Sequence, residues 1–135
     1  MPLGTTTALE TLKAVLKAVD PSWRSGVSRY LALHTANPGA GGSQTTSEAA
    51  YPGYVRVAVT SATGWTDANP MLNAALIQFA KATGSTTELL SHLTIGTASS
   101  GAGQILVVGS LVEALQMANN IQPQFGAGDI SVQLS

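Results

Sequence analysis

Two histidines, His34 and His92, have the side chains whose ordinary pKa lies nearest neutrality, so proton-transfer or metal chemistry would begin with them. Both fall in stretches that alternate like strands and could meet across a sandwich as an acid–base pair or as two metal ligands. A zinc site needs at least three protein ligands, and the chain offers no cysteine and no third histidine. Glu48, Asp67 and Asp129 would have to complete the set, and they show no ligand spacing. Serines are plentiful, but no Gly-x-Ser-x-Gly elbow stands between a strand and a helix. The seven acidic residues are scattered and form no obvious carboxylate pair for glycoside hydrolysis. Ser99-Ser100-Gly101-Ala102-Gly103-Gln104 has the look of a phosphate loop, yet it lacks the Gly-Lys-Ser/Thr ending and precedes a strand, so it reads as a turn. The expectation is no catalytic residue, no metal and no cofactor, with both histidines hydrogen-bonded in a sheet.

Contact chemistry has better candidates. Trp23, Tyr30, Tyr51, Tyr54 and Trp65 border loops and are expected outside the core, as a sugar-stacking platform or an interface anchor. Ordinary packing at strand ends is the competing reading. Arg56 stands mid-strand opposite a row of valines and is expected to face outward, pairing across a subunit boundary or with a nearby carboxylate. Leu9, Leu12 and Leu16, joined by Val19 and flanked by Val15, form an apolar stripe at helical spacing. The expected interface set is therefore Leu9, Leu12, Leu16, Tyr51, Tyr54, Arg56 and Trp65.

The elements that must position these residues are one helix and a series of short strands. Thr7-Ala8-Leu9-Glu10 fits a capping box at the start of a helix over Thr7 to Val19, which Asp20-Pro21 stops. At about four turns it is not stable alone, so its stripe must dock on its own domain or on a neighbour. Strands are expected at Tyr30 to Ala36, Tyr54 to Thr60, Ala75 to Phe79, Leu89 to Thr97 and Gln104 to Val108. Leu111 to Ala118 would also make a helical turn or two, and is assigned to a strand because Gly109-Ser110 precedes it and Asn119-Asn120 follows. Ile121 to Phe125 and Ile130 to Leu134 alternate as strands around Gly126-Ala127-Gly128. Residues 37 to 53, rich in Gly, Ser, Thr, Ala and Pro, read as a long loop that is functional or mobile until bound. The fold class is all-β, a jelly-roll-like antiparallel β-sandwich with a short N-terminal helix, divided into a helical arm at 1–28 and a sandwich at 29–135.

Composition says what kind of surface results. Only 10% of residues are charged, against about 25% in an ordinary soluble domain. Area scaling from the mass gives a folded surface of roughly 6,600 Å², hence about one charge per 500 Å². At a net charge of −1 such a surface does little to resist association. Six basic residues spread from Lys13 to Lys81 form no clustered face for phosphate binding, and the bias of Lys13, Lys17, Arg24 and Arg29 reads as a solvated helix face. No run approaches the ~18–20 apolar residues of a membrane span. Glu10, Lys13, Lys17 and Asp20 interrupt any secretory signal. Nucleic acid and membrane are thus not expected partners.

Four segments together carry a resemblance: Leu31 to Gly39, Gly53 to Val59, Ile95 to Gly103 and Ile121 to Ile130. In this order, over about residues 29 to 134, the chain resembles the small virion proteins of tailed bacteriophages described as head-fibre, tail-fibre or capsid-cementing proteins. The resemblance implies a structural protein with no catalytic residues to carry over. It is expected in the virion, assembled in the host bacterial cytoplasm, as a homo-oligomer (dimer or trimer) bound to major capsid protein or another virion protein. Capsid cement is the first reading, because many symmetric copies add up modest contacts and stabilise an assembled shell. A head-fibre or tail-fibre module, binding another virion protein or a host-surface glycan, is the alternative. Removing residues 1 to 20 is expected to leave the sandwich folded but to abolish shell binding.

Overall fold

A computed structural model describes residues 2–134 as an antiparallel β structure with one helix. The elements are α1 (Thr5–Lys17), β1 (Ser28–His34), β2 (Val57–Thr60), β3 (Met71–Leu72), β4 (Ile77–Gln78), β5 (Leu89–Gly96), β6 (Ile105–Gln116), β7 (Gln124–Phe125) and β8 (Ser131–Val132). A four-stranded sheet has the order β2-β1-β5-β6, and β3-β8 and β4-β7 form two short ribbons. Period-two alternation sorts the sheet residues. Leu31, Leu33, Val59, Leu93, Ile95 and Val107 meet Ile77, Phe79, Phe125, Ile130 and Val132 of the ribbons in one core. The layer opposite the sheet is thus two separate ribbons rather than one continuous second sheet. What stands is an antiparallel all-β fold with a short helix, and the turn-rich stretches around residues 64–70 and 119–128 keep the ribbons short.

The other face of the sheet is buried as well. Ala32, His34 and Thr94 are fully buried there, beneath the segment expected to be a free loop. Residues 47–49 pair with the end of β1, through the Thr35 N–H on the Ser47 carbonyl and the Ala49 N–H on the Leu33 carbonyl. The Gln44 amide lies over Gly96 and Gly103, where a Cβ on either glycine would collide with it. Gln44 donates to the Tyr30 carbonyl and accepts from the Ala98 N–H. Residues 37–53 are therefore largely a lid over the sheet. A run of small and polar residues can lie flat on backbone, and its own N–H and C=O groups find partners there.

The helix departs from expectation at its start. Its cap is Gly4, with no side-chain hydrogen bond, and Thr7 is inside the helix and buried. The Thr7 hydroxyl donates to the Ile105 carbonyl at 2.8 Å and accepts from Gln104 at 2.9 Å. A long-range bond to the sheet has displaced the local capping box. Glu10 instead accepts from Ser22, the main cause holding its carboxyl below the usual range, with Gln104 assisting. The helix ends at Lys17, with Ala18 in the left-handed conformation, before Asp20-Pro21 is reached. Ahead of it, the Gly4 N–H bonds the Leu106 carbonyl and the Val108 N–H bonds the Pro2 carbonyl. Deleting residues 1 to 20 would thus uncover an edge of β6 as well as remove a helix.

The ambiguous stretch at 111–118 belongs to β6 up to Gln116, with an interruption. Leu90 faces Leu115 and His92 faces Ser110, so Ser91 alone opposes residues 111–114. This bulge pushes Val112 fully into solvent.

Candidate functional site

Of the expected contact residues, the helical ones lie outside and most of the others lie inside. Leu9, Leu12, Val15 and Leu16 are 53%, 57%, 74% and 77% exposed. The helix is turned so that Thr7, its one buried residue, faces the sheet and the leucines face water. That orientation follows from two hydrogen bonds on Thr7 and from the backbone pairing of Pro2 to Gly4, which fix the helix before its stripe can reach the core.

Tyr51, Tyr54, Trp65 and Arg56 do not form an exposed platform. Tyr51 is 3% exposed and donates to the Ala80 carbonyl at 2.7 Å. Burial, with help from the charge of Glu88, pushes its phenol up to about 12. Tyr54 is half-buried, edge-on to Tyr51 and stacked on Phe79 with ring centroids 6.4 Å apart. Trp65 is half-buried against the core and lines an apolar cleft of about 250 Å³ with Met71, Leu106 and Val132. Packing at strand ends accounts for all three aromatics.

Arg56 precedes β2 and folds inward, its side chain only 2% exposed. Its Nε and Nη2 clasp the Glu48 carboxylate at 2.7 and 2.9 Å. Nη1 donates to the Ala98 carbonyl at 2.9 Å and Nη2 to the Gly101 carbonyl at 2.6 Å, while Gln44 takes the fifth N–H at 3.5 Å. Every N–H of the fork is used. The guanidinium thus ties the lid, β2 and the 97–103 turn together, and its pKa is raised chiefly by the bond to Glu48. Tyr54 completes the network: its hydroxyl accepts the Leu33 N–H and donates to Glu48. Glu48 and Gln44 carry no local signal in sequence. An inward arginine needs a carboxylate, but only the fold selects which one.

His34 and His92 sit opposite each other on neighbouring strands of one sheet, not across a sandwich. His34 is fully buried, with Nδ1 on the Thr46 carbonyl and Nε2 on the Thr94 hydroxyl, both at 2.8 Å. His92 bonds Ser91 instead. Among the described residues no group of three or more histidines or carboxylates gathers to hold a metal. Burial holds His34 below its ordinary 6.5, against weaker upward pulls from Thr46 and Glu48. The unfolded chain therefore binds more protons between the two values, so stability is complete above about pH 6.5 and is lost as pH falls through the lowered pKa. Melting temperatures at pH 7 and pH 5 should differ more for the wild type than for His34→Asn. Equal differences would remove His34 from the acid sensitivity.

The architecture therefore combines a closed polar network inside with an amphipathic helix whose apolar side is outward. The sequence pattern of the family described as Podophage GP4 fiber I protein gp80 matches residues 3–133. The chain belongs to this family. It is a virion structural protein of a tailed phage, and the match spans both the helix and the β domain. No curated protein matches the chain. The fibre alternative accords with this family, and the capsid-cement reading gains no support from it. No helix among the described residues is long and apolar enough to cross a membrane.

Proposed function

We propose that this podophage fibre protein is a non-enzymatic fibre component that attaches to other virion proteins through α1. The single observation that carries the reading is the outward stripe of Leu9, Leu12, Val15 and Leu16 on a helix held by its polar side. Water-exposed leucines cost free energy on the order of 25 cal/mol per Å² of apolar surface left uncovered, and a partner that covers them recovers it. In this reading residues 1–28 are the attaching arm and 29–135 the body. The body's clamp at Arg56 and its aromatic packing keep it rigid under the arm. A glycan platform is not favoured, because Tyr51 is buried and Trp65 packs on the core.

The test is the double substitution Leu12→Asp and Leu16→Asp in the phage. Both positions are solvated, so thermal unfolding of the purified protein should stay within the small range of surface changes, about ±0.5 kcal/mol. Immunoblots of purified particles should then show the protein missing from virions. Incorporation at the wild-type level would refute attachment through α1.

A further inference from the structure

A second unpartnered apolar surface lies elsewhere on the molecule. A cleft of about 530 Å³ opens between the β6 bulge and the ribbons, with Leu90, Leu93 and Leu115 on its floor and Phe125 beside them. It falls within the range of about 300–1,000 Å³ typical of clefts that bury a ligand. Glu113 and Asp129 also line it. Asp129 spends one carboxylate oxygen on the Gly126 N–H, and Glu113 enters no ion pair among the described residues.

Resting on the fibre reading above, we infer that this cleft receives the α1 stripe of a second copy of the chain, so that copies join head to tail and the stripe of a terminal copy remains open to the other virion protein. Charge complementarity selects the occupant. By helical spacing Lys13 and Lys17 flank the Leu9–Leu16 edge of the stripe, and neither enters an ion pair among the described residues. Laid in the cleft, they meet Glu113 and Asp129. Packed instead against another α1, they would face the same two lysines, with only Glu10 in compensation, and Glu10 is already bonded to Ser22 and Gln104. The chain's own helix does not reach its own cleft: Thr7 fastens it at Ile105, with the stripe turned to solvent. A contact between two different surfaces of identical subunits closes as a two-fold dimer where it is made reciprocally, and otherwise propagates into a ring or a filament.

The chain contains no cysteine, which makes the contact directly addressable. Leu16→Cys and Val112→Cys place single thiols at positions 77% and 104% exposed, one on the stripe and one at the cleft. With a short bifunctional thiol reagent, a mixture of the two variants should give a cross-linked dimer that neither gives alone. In light scattering the wild-type mass should exceed that of the monomer and rise with concentration. Glu113→Lys should weaken that association several-fold, less so at high salt, and Lys13→Glu with Lys17→Glu should restore it. Self-cross-linking of Leu16→Cys would overturn the inference in favour of a helix bundle. A wild-type monomer whose Leu12→Asp, Leu16→Asp form still leaves the virion would overturn it too, while the attachment reading stands. Should that doubly substituted protein enter particles normally, both fall.

Discussion

Replacing Arg56 with Ala is expected to cost about 3–5 kcal/mol, the effect of breaking a buried ion pair from one side. The Glu48 carboxylate would keep its Tyr54 bond but lose both guanidinium bonds, and the Ala98 and Gly101 carbonyls would lose a donor. Domains of this size hold only about 5–15 kcal/mol of stability, so the variant would sit near the limit of folding. Lysine is a poor substitute, because one ammonium cannot span the carboxylate and two carbonyls in the geometry of the fork. The double change Arg56→Met with Glu48→Gln should be milder than Arg56→Ala, since it removes the stranded charge as well. Urea midpoints of the three variants decide this. An Arg56→Ala midpoint displaced no more than by a surface change would show that the clamp contributes nothing.

Phe79→Ala is expected to cost a similar amount, about 3–5 kcal/mol, through lost burial and the cavity left behind. Phe79 is fully buried and joins two aromatic contacts, stacked with Tyr54 and edge-on to Phe125 at 6.3 Å. Through Tyr54 the row continues to Tyr51, so it runs from the lid to the β4-β7 ribbon. Phe79→Leu should lose less, because it keeps much of the volume. Tyr54→Phe isolates the polar end of the same row. It keeps the ring but removes the acceptor for the Leu33 N–H, with an expected cost of about 1–3 kcal/mol. Thermal unfolding should rank them Phe79→Ala lowest and Phe79→Leu above it. Equal melting for Phe79→Ala and the wild type would mean that the ribbon does not depend on this contact.

Arg56 and Phe79 tie the body together from within, while α1 carries a continuous exposed apolar stripe. That division suits a fibre component. Among the described residues the one strongly buried ion pair is spent on tying the lid to the sheet.

By itself the sequence determined the class of the longer elements, while the two-residue strand Met71–Leu72 carried no signal and Leu111 to Ala118 read as helix or strand. The 3.6-residue spacing of Leu9, Leu12 and Leu16 required a helix, and the alternation through Leu31 and Leu33 or Leu93 and Ile95 required strands facing a core. These signals are local: the period of a backbone shows within a few residues. Tertiary structure alone decided which way the elements point. Thr7 became an anchor rather than a cap because a carbonyl 98 residues away was within reach of its hydroxyl. Arg56 turned inward because Glu48, Ala98 and Gly101 converge on it from segments 8, 42 and 45 residues distant. The 37–53 segment became a lid because β1 and the glycines at 96 and 103 left it backbone to bind. A polar side chain takes whichever partner satisfies it when water is excluded, and that partner is set by how distant segments meet, not by its neighbours along the chain.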